Sequence, residues 1–192
     1  GQDGAAGTSV TEAPPETTTS APPPAPTPAP TSAPTSAPGE SQETAPADPT
    51  AVTIPAIGVD EQLIDLGIAA SGELDVPADA ARVGWFTGGG RPGGPGPTVL
   101  VGHLDSATGP AVFADLPDLV AGDEVTVTTE AGTTVTYAVT RTEDFLQADF
   151  PTAAVFGATA GDQLRLITCT GPYDRAAGRY TENRVVFAEP VA

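Results

Sequence analysis

The sequence predicts a mostly-β protein: a closed or nearly closed barrel of seven or eight short strands with one or two short helices, preceded by an extended, disordered stalk. Three observations predict it. The chain changes composition sharply near residue 50. Beyond that point, apolar and polar residues alternate in period two over short runs, which is the pattern of half-buried strands. Gly- and Pro-containing breaks separate those runs, and a set of short strands leaves fewest unpaired backbone groups when the sheet closes on itself.

Residues 1–50 contain no Phe, Tyr, Trp, Leu or Ile and no basic residue, while 12 of the 22 prolines lie there. Such a segment buries too little apolar surface to offset its chain entropy. The repeat "PTSAPTSAP" at 30–38 suits a semi-rigid spacer. The expected organisation is a Pro/Thr/Ala-rich linker over 1–50 and one folded domain over 51–192.

The elements of that domain follow in order. "AVTIPAIGVDEQLIDLGI" (51–68) reads as two strands turning at Pro55 and Gly58. "VGWFTGGGRPGGPGPTVLVGHLDS" (83–106) reads as a strand, a Gly/Pro loop and the short β-branched run Thr98 to Val101, which delivers His103 to a strand end. "GPAVFADLPDL" (109–119) has room for one or two helical turns. "DEVTVTTEAGTTVTYAVTRTEDF" (123–145) is a hairpin about "EAGT". "PTAAVFG" (151–157) opens on Pro and ends on Gly, as short helices do. "DQLRLITC" (162–169) and "NRVVFAEPV" (183–191) are the last strands.

Charge narrows the partners. All seven basic residues are arginine and the net charge is −18, which argues against nucleic acid and anionic membrane surfaces. No run approaches the ~20 apolar residues of a membrane span. A stalk ahead of a folded domain suits a protein held at the outer face of a membrane.

Cys169 is the only cysteine and His103 the only histidine. Alone, either suits a structural role, since a free cysteine is among the most buried residue types. Together, each closing an apolar strand, they form a nucleophile–base pair: imidazole near a thiol can take its proton and return it to a leaving amine. One Cys and one His leave a structural zinc short of ligands. "GGGRPGGPG" (88–96) lacks the Gly-Lys-Ser/Thr ending of a phosphate-binding loop and reads as a mobile loop. Attack on an amide also needs a donor for the oxyanion, and arginine suits it. Arg175 and Arg179 fall in the loop after the cysteine and Arg184 on the last strand. Arg184 leads because a strand fixes a side chain better than a loop, with Arg179 in reserve.

"TVLVGHLDS", "LRLITCTG" and "RYTENRVVFA" resemble, in order and spacing, the three signature segments of the sortases. The Gly/Pro stretch ahead of the histidine strand looks like the actinobacterial class F, or the related class E. The resemblance covers 51–192 and implies an eight-stranded barrel and a cysteine transpeptidase without cofactor or metal. Cys169 would attack the Thr carbonyl of an LPXTG-like sorting signal in an exported protein. His103 would be general acid and base, and Arg184 would hold substrate and oxyanion. A cell-wall precursor or pilin amine, or water, would resolve the thioacyl-enzyme. The enzyme would work as a monomer at the extracellular face of the cytoplasmic membrane, tethered by an N-terminal membrane helix preceding this sequence.

Departures accompany the match. Arg165 stands where the family's run carries a threonine, on the same strand face as Ile167 and Cys169, so it is a candidate for the edge of the active site. One alignment puts Asn183 at the arginine position; aligning "RVVF" restores Arg184. Asp144 and Asp149 are acidic and near in sequence but form no ligand pattern. Two other readings stand beside this one: a non-catalytic stalked surface domain with an inert cysteine, and an L,D-transpeptidase-like enzyme. The second expects Gly before the cysteine and Arg two residues after, where this chain has Thr168 and Gly171.

Overall fold

A computed structural model describes residues 45–191. The expected stalk therefore lies outside the described residues except for its last six. Ten strands are present: β1 (Pro49–Ile54), β2 (Val59–Leu66), β3 (Val83–Phe86), β4 (Gly96–Val101), β5 (Asp105–Ser106), β6 (Gly109–Pro110), β7 (Glu124–Thr129), β8 (Thr134–Leu146), β9 (Asp162–Asp174) and β10 (Arg179–Pro190). Eight of them close a barrel in the order β1-β2-β3-β4-β9-β10-β8-β7, and β5 and β6 form a separate hairpin. The one α-helix, α1 (Thr152–Phe156), is the Pro-to-Gly segment read from the sequence. The segment 109–119 supplies only a 3-10 turn, Leu116–Asp118, with a proline in its first positions.

Two strand pairs are parallel, β2 with β3 and β4 with β9; the other six are antiparallel. β4 and β9 consequently start together at one end of the barrel, and β9 runs on past the end of β4 to Asp174. Alternation sorts their side chains. Trp85, Leu100, Leu164, Leu166, Val186 and Ala188 fill the interior with Phe113, Leu116 and Tyr137. Val99, Val101, Ile167, Val185 and Phe187 face outward, where Val155 of α1 and the partly buried rings of Phe86, Phe145, Phe150 and Phe156 cover them. Burial on both faces makes "PTVLV" and "LRLIT" read as continuous runs instead of alternating ones.

The starting end is latched. Asp162 opens β9, and its carboxylate accepts hydrogen bonds from the Tyr137 hydroxyl at 2.9 and 3.0 Å and from Gly93 N at 2.8 Å. Burial pushes the Asp162 carboxyl up, against the downward pull of those donors. The Gly/Pro segment, expected to be a mobile loop, is thus tied to the barrel. Arg91 within it bonds to Asp48 and lies 5.4 Å over the Trp85 ring.

Tyr137→Phe removes one charge-assisted hydrogen bond beneath a buried side chain. Urea unfolding should show a stability loss of about 1.5–3 kcal/mol, with the chemistry at the far end unchanged; an unaltered midpoint would remove the latch from this account.

Candidate active site

Three adjacent strands carry the residues that matter. Beside β9, Val101 of β4 is in register with Ile167, and Gly102 N donates to Ile167 O at 3.1 Å, extending the parallel ladder past the strand. His103 follows Gly102 on that side, and Cys169 lies two residues beyond Ile167 on β9. On the other flank, antiparallel β10 places Asn183 directly opposite Cys169 and Arg184 opposite Thr168. Directly opposed residues share a face of the sheet. Cys169 and Asn183 therefore form an outward-facing row, with His103 just beyond the end of β4 on its flank. Thr168, 1% exposed, turns inward with Leu164 and Leu166.

Each member of the row is held. A Cβ on Gly102 would come within 2.6 Å of the Phe113 ring, so a residue without one lets the strand end pass that ring. Phe113 N then donates to His103 O at 2.9 Å. The His103 ring meets Pro77 O through Nε2 at 2.6 Å. A carbonyl can only accept, so Nε2 carries the hydrogen and Nδ1 keeps the lone pair. Asn183 Oδ1 accepts from Gln147 Nε2 at 3.1 Å, tying β10 to the short turn after β8.

Cys169 is half-buried and free. Burial pushes its thiol up, and the nearby Asp105 carboxylate pushes the same way. That carboxylate accepts a 2.5 Å hydrogen bond from the Tyr180 hydroxyl, joining the β5–β6 hairpin to the first residues of β10. The same bond raises the Tyr180 hydroxyl.

The arginines lie elsewhere. Arg184 follows the inward parity of Val186 and Ala188 and forks onto Asp144, Nε to Oδ1 at 2.6 Å and Nη2 to Oδ2 at 2.5 Å. Its Nη1 donates to Pro117 O at 2.9 Å. The Asp144 bond raises the guanidinium further. The structure thus turns Cys169 to the outward face and Arg184 to the inward one, with His103 past the end of the neighbouring β4. Arg179 opens β10 opposite Asp174 and lines a cavity of about 210 Å³ with Leu146, Gln147, Tyr180 and Thr181. Arg175 is exposed in the intervening turn. Arg165 shares the face of Cys169 but lies four residues back, about 13 Å along the strand. It is 5% exposed, its guanidinium 4.5 Å over the Phe187 ring, and burial followed by the charge of Arg141 lowers it to about 10. That places it in the packing of the barrel wall, away from the edge of the site.

Asp144 is the partner of Arg184, and Asp149 ends the turn Gln147–Asp149. Among the described residues no group of three or more His, Cys, Asp and Glu side chains could hold a metal ion. A larger cavity, about 510 Å³ and lined by Asp60, Glu61, Asp79 and Asp115 among others, holds neither Cys169 nor His103. Sequence reading missed Gln147, Asp105 and Tyr180. Counting parity back from an inward Val186 would have shown Asn183 facing outward. Nothing local marks the contact between Asp105 and Tyr180, which are 75 residues apart.

A family model described as the sortase domain matches residues 52–191. Solved structures agree in fold. Sortase A from Corynebacterium diphtheriae is 24% identical, over 77% of this chain and 62% of that one, with a TM-score of 0.57. Sortase C-1 from Actinomyces oris is 27% identical, over 74% of this chain and 73% of that one, with a TM-score of 0.56. A Clostridium perfringens sortase D5 transpeptidase is 20% identical, over 76% and 79%, at 0.56. This chain thus spans less than two thirds of the Corynebacterium chain. No curated protein matches it.

Iodoacetamide reacts with thiolate, so the rate of Cys169 alkylation against pH reads the thiol directly. Its midpoint should lie above the ordinary thiol value. Asp105→Asn removes a like charge and should move the midpoint down; an unmoved midpoint would show that Asp105 does not act on the sulfur.

Proposed function

The chain belongs to the sortase family, and we propose that it is a cysteine transpeptidase that cleaves an LPXTG-like sorting signal in exported proteins. The observation supporting this best is the parallel register of β4 and β9, which carries the strand leading to His103 alongside the strand that holds Cys169. The Gly/Pro segment before β4 favours class F or the related class E.

In the proposed reaction the Cys169 sulfur bonds to the Thr carbonyl carbon while the thiol proton passes to His103. The carbonyl π pair moves onto oxygen and then returns as the C–N bond breaks. The leaving amine takes the proton from His103, and a thioester remains on Cys169. An amine of a cell-wall precursor or pilin, or water, then attacks that carbonyl and gives its proton to His103. The S–C bond breaks and the thiolate recovers the proton. Because the thiol is pushed up, it is protonated at neutral pH, so proton removal accompanies attack and a base is required.

The arrangement suits a monomer at the extracellular face of the cytoplasmic membrane, joined to its tether through the segment preceding β1. No helix among the described residues is long and apolar enough to cross a membrane. For the oxyanion role read from the sequence, Arg184 would have to release Asp144 and turn around β10. Held as it is, it braces the mouth of the barrel by joining β8, β10 and the Leu116–Asp118 turn, and Arg179 is the reserve cation beside the site.

Cleavage of an LPXTG peptide library, with transfer to hydroxylamine, tests the reading. Wild type should yield a thioacyl adduct at Cys169, and Cys169→Ala and His103→Ala should each lose turnover while folding normally. Turnover that survives in Cys169→Ala would end the enzymatic account; a non-catalytic domain would show none in any variant. Arg184→Lys loses the fork, so about 1 kcal/mol of stability should go while acylation stays within about tenfold. Normal stability with a loss of 10² or more would instead return the oxyanion role to Arg184.

A further inference from the structure

We propose that the Asn183 side-chain amide, fixed by Gln147, donates to the oxyanion formed when Cys169 attacks a carbonyl. The inference rests on the transpeptidase reading and adds the group that receives the developing charge.

Register supplies the position. Asn183 is directly opposite Cys169 in the β9–β10 ladder and half-buried on the same face. Opposed Cβ atoms in such a pair stand about 4.5–5.5 Å apart, within reach of a carbonyl being attacked by the sulfur. His103 occupies the other flank, so the attacked carbon has a base on one side and an amide on the other.

Hydrogen bonding supplies the orientation. An Asn amide has an acceptor end and a donor end, and only the donor end can serve an oxyanion. Gln147 Nε2 donates to Asn183 Oδ1 at 3.1 Å, which occupies the acceptor end and leaves the Nδ2 hydrogens for the groove. A donor held before charge appears needs no reorganisation during the reaction, which is what makes such groups effective. The guanidinium expected for this duty, Arg184, has Nε and Nη2 on Asp144 and Nη1 on Pro117 O, all on the opposite face.

The step balances within the chemistry already given. As the S–C bond forms, the carbonyl π pair becomes a lone pair on oxygen, accepted by Asn183 Nδ2–H hydrogen bonds. As the C–N bond breaks, that pair returns to the carbonyl and the hydrogen bonds weaken. Asn183 itself neither gains nor loses a proton. Gln147 is a positioning residue: it touches only Asn183.

The test compares two reactions at one sulfur. p-Nitrophenyl acetate acylates Cys169 through a tetrahedral oxyanion, whereas iodoacetamide alkylates it by displacement at carbon, with no oxyanion. The readout is the ratio of the two rates in the full chain. Asn183→Ala should lower that ratio by about 10²–10³. Asn183→Asp, which keeps the shape and the bond from Gln147 but replaces the donor by an acceptor, should lower it as far. Gln147→Ala should lower it by about tenfold, chiefly in kcat. An undiminished ratio in both Asn183 variants would overturn the proposal while leaving the transpeptidase reading in place. Wild type with no Cys169-dependent acylation would sink that reading first and this proposal with it.

Discussion

One residue of register between β9 and β10 decides what this molecule can do. With Asn183 opposite Cys169, the sulfur and an amide share the outer face, and Arg184 and Thr168 share the inner one. A slip by one residue would turn every side chain of one strand to the other side. What prevents it is burial on both faces. Leu164, Leu166, Val186 and Ala188 fill the interior, while Ile167, Val185 and Phe187 are covered from outside. A β9 slipped by one residue would exchange inward Leu164, Leu166 and Thr168 for Arg165, Ile167 and Cys169, and an uncompensated charge in an apolar core costs several kcal/mol. The facing of Cys169 and Asn183 is thus held by the packing of their strand neighbours.

The same packing sets the electrostatic state of the site. Burial and Asp105 both disfavour the thiolate, so the resting nucleophile keeps its proton instead of standing as a preformed ion. The His103 ring is held through Nε2 by Pro77 O, which leaves the lone pair on Nδ1. Asp105 in turn is held by Tyr180, so the hairpin that carries it and the start of β10 move together. One hydrogen bond thus joins β5 to β10 at the carboxylate that acts on the thiol.

Much of this was legible in the sequence because it is local. The hairpin over 123–145, the turn at Pro55–Gly58 and the helix bounded by Pro151 and Gly157 follow from turn residues and periodicity. His103 does lie just past the end of β4, since a β-branched run that stops at glycine announces its own end, whereas Cys169 lies inside β9. What was not legible is pairing. The sequence reading ended one strand at Cys169 and began the next at Asn183; in the structure both run on, to Asp174 and from Arg179, because the hairpin continues through polar residues that carry no alternation. The two-residue strands β5 and β6 are too short to leave a pattern. Arg184 shows the cost of reading strands singly: its position on β10 is right to the residue, but its face depends on a neighbour that periodicity cannot identify.

The two ends of the barrel do different work, and β4 and β9 keep them apart. At their starting end lie the Asp162 latch, the Gly/Pro loop, and the entry of the chain, where Asp48 bonds to Arg91 and Glu130 N donates to Asp48 O at 2.9 Å. At their finishing end lie Cys169 and His103, about 20 Å away for a strand of six residues. Since the two strands are parallel neighbours, the sulfur and the imidazole arrive at one rim by the same count of residues from one latched baseline. An antiparallel pair would have sent them to opposite rims. Parallel pairing is slightly weaker per residue and needs a crossover to form. Here that arrangement carries Cys169 and the end of β4 the same way along the barrel, away from the Asp162 latch and the point of chain entry.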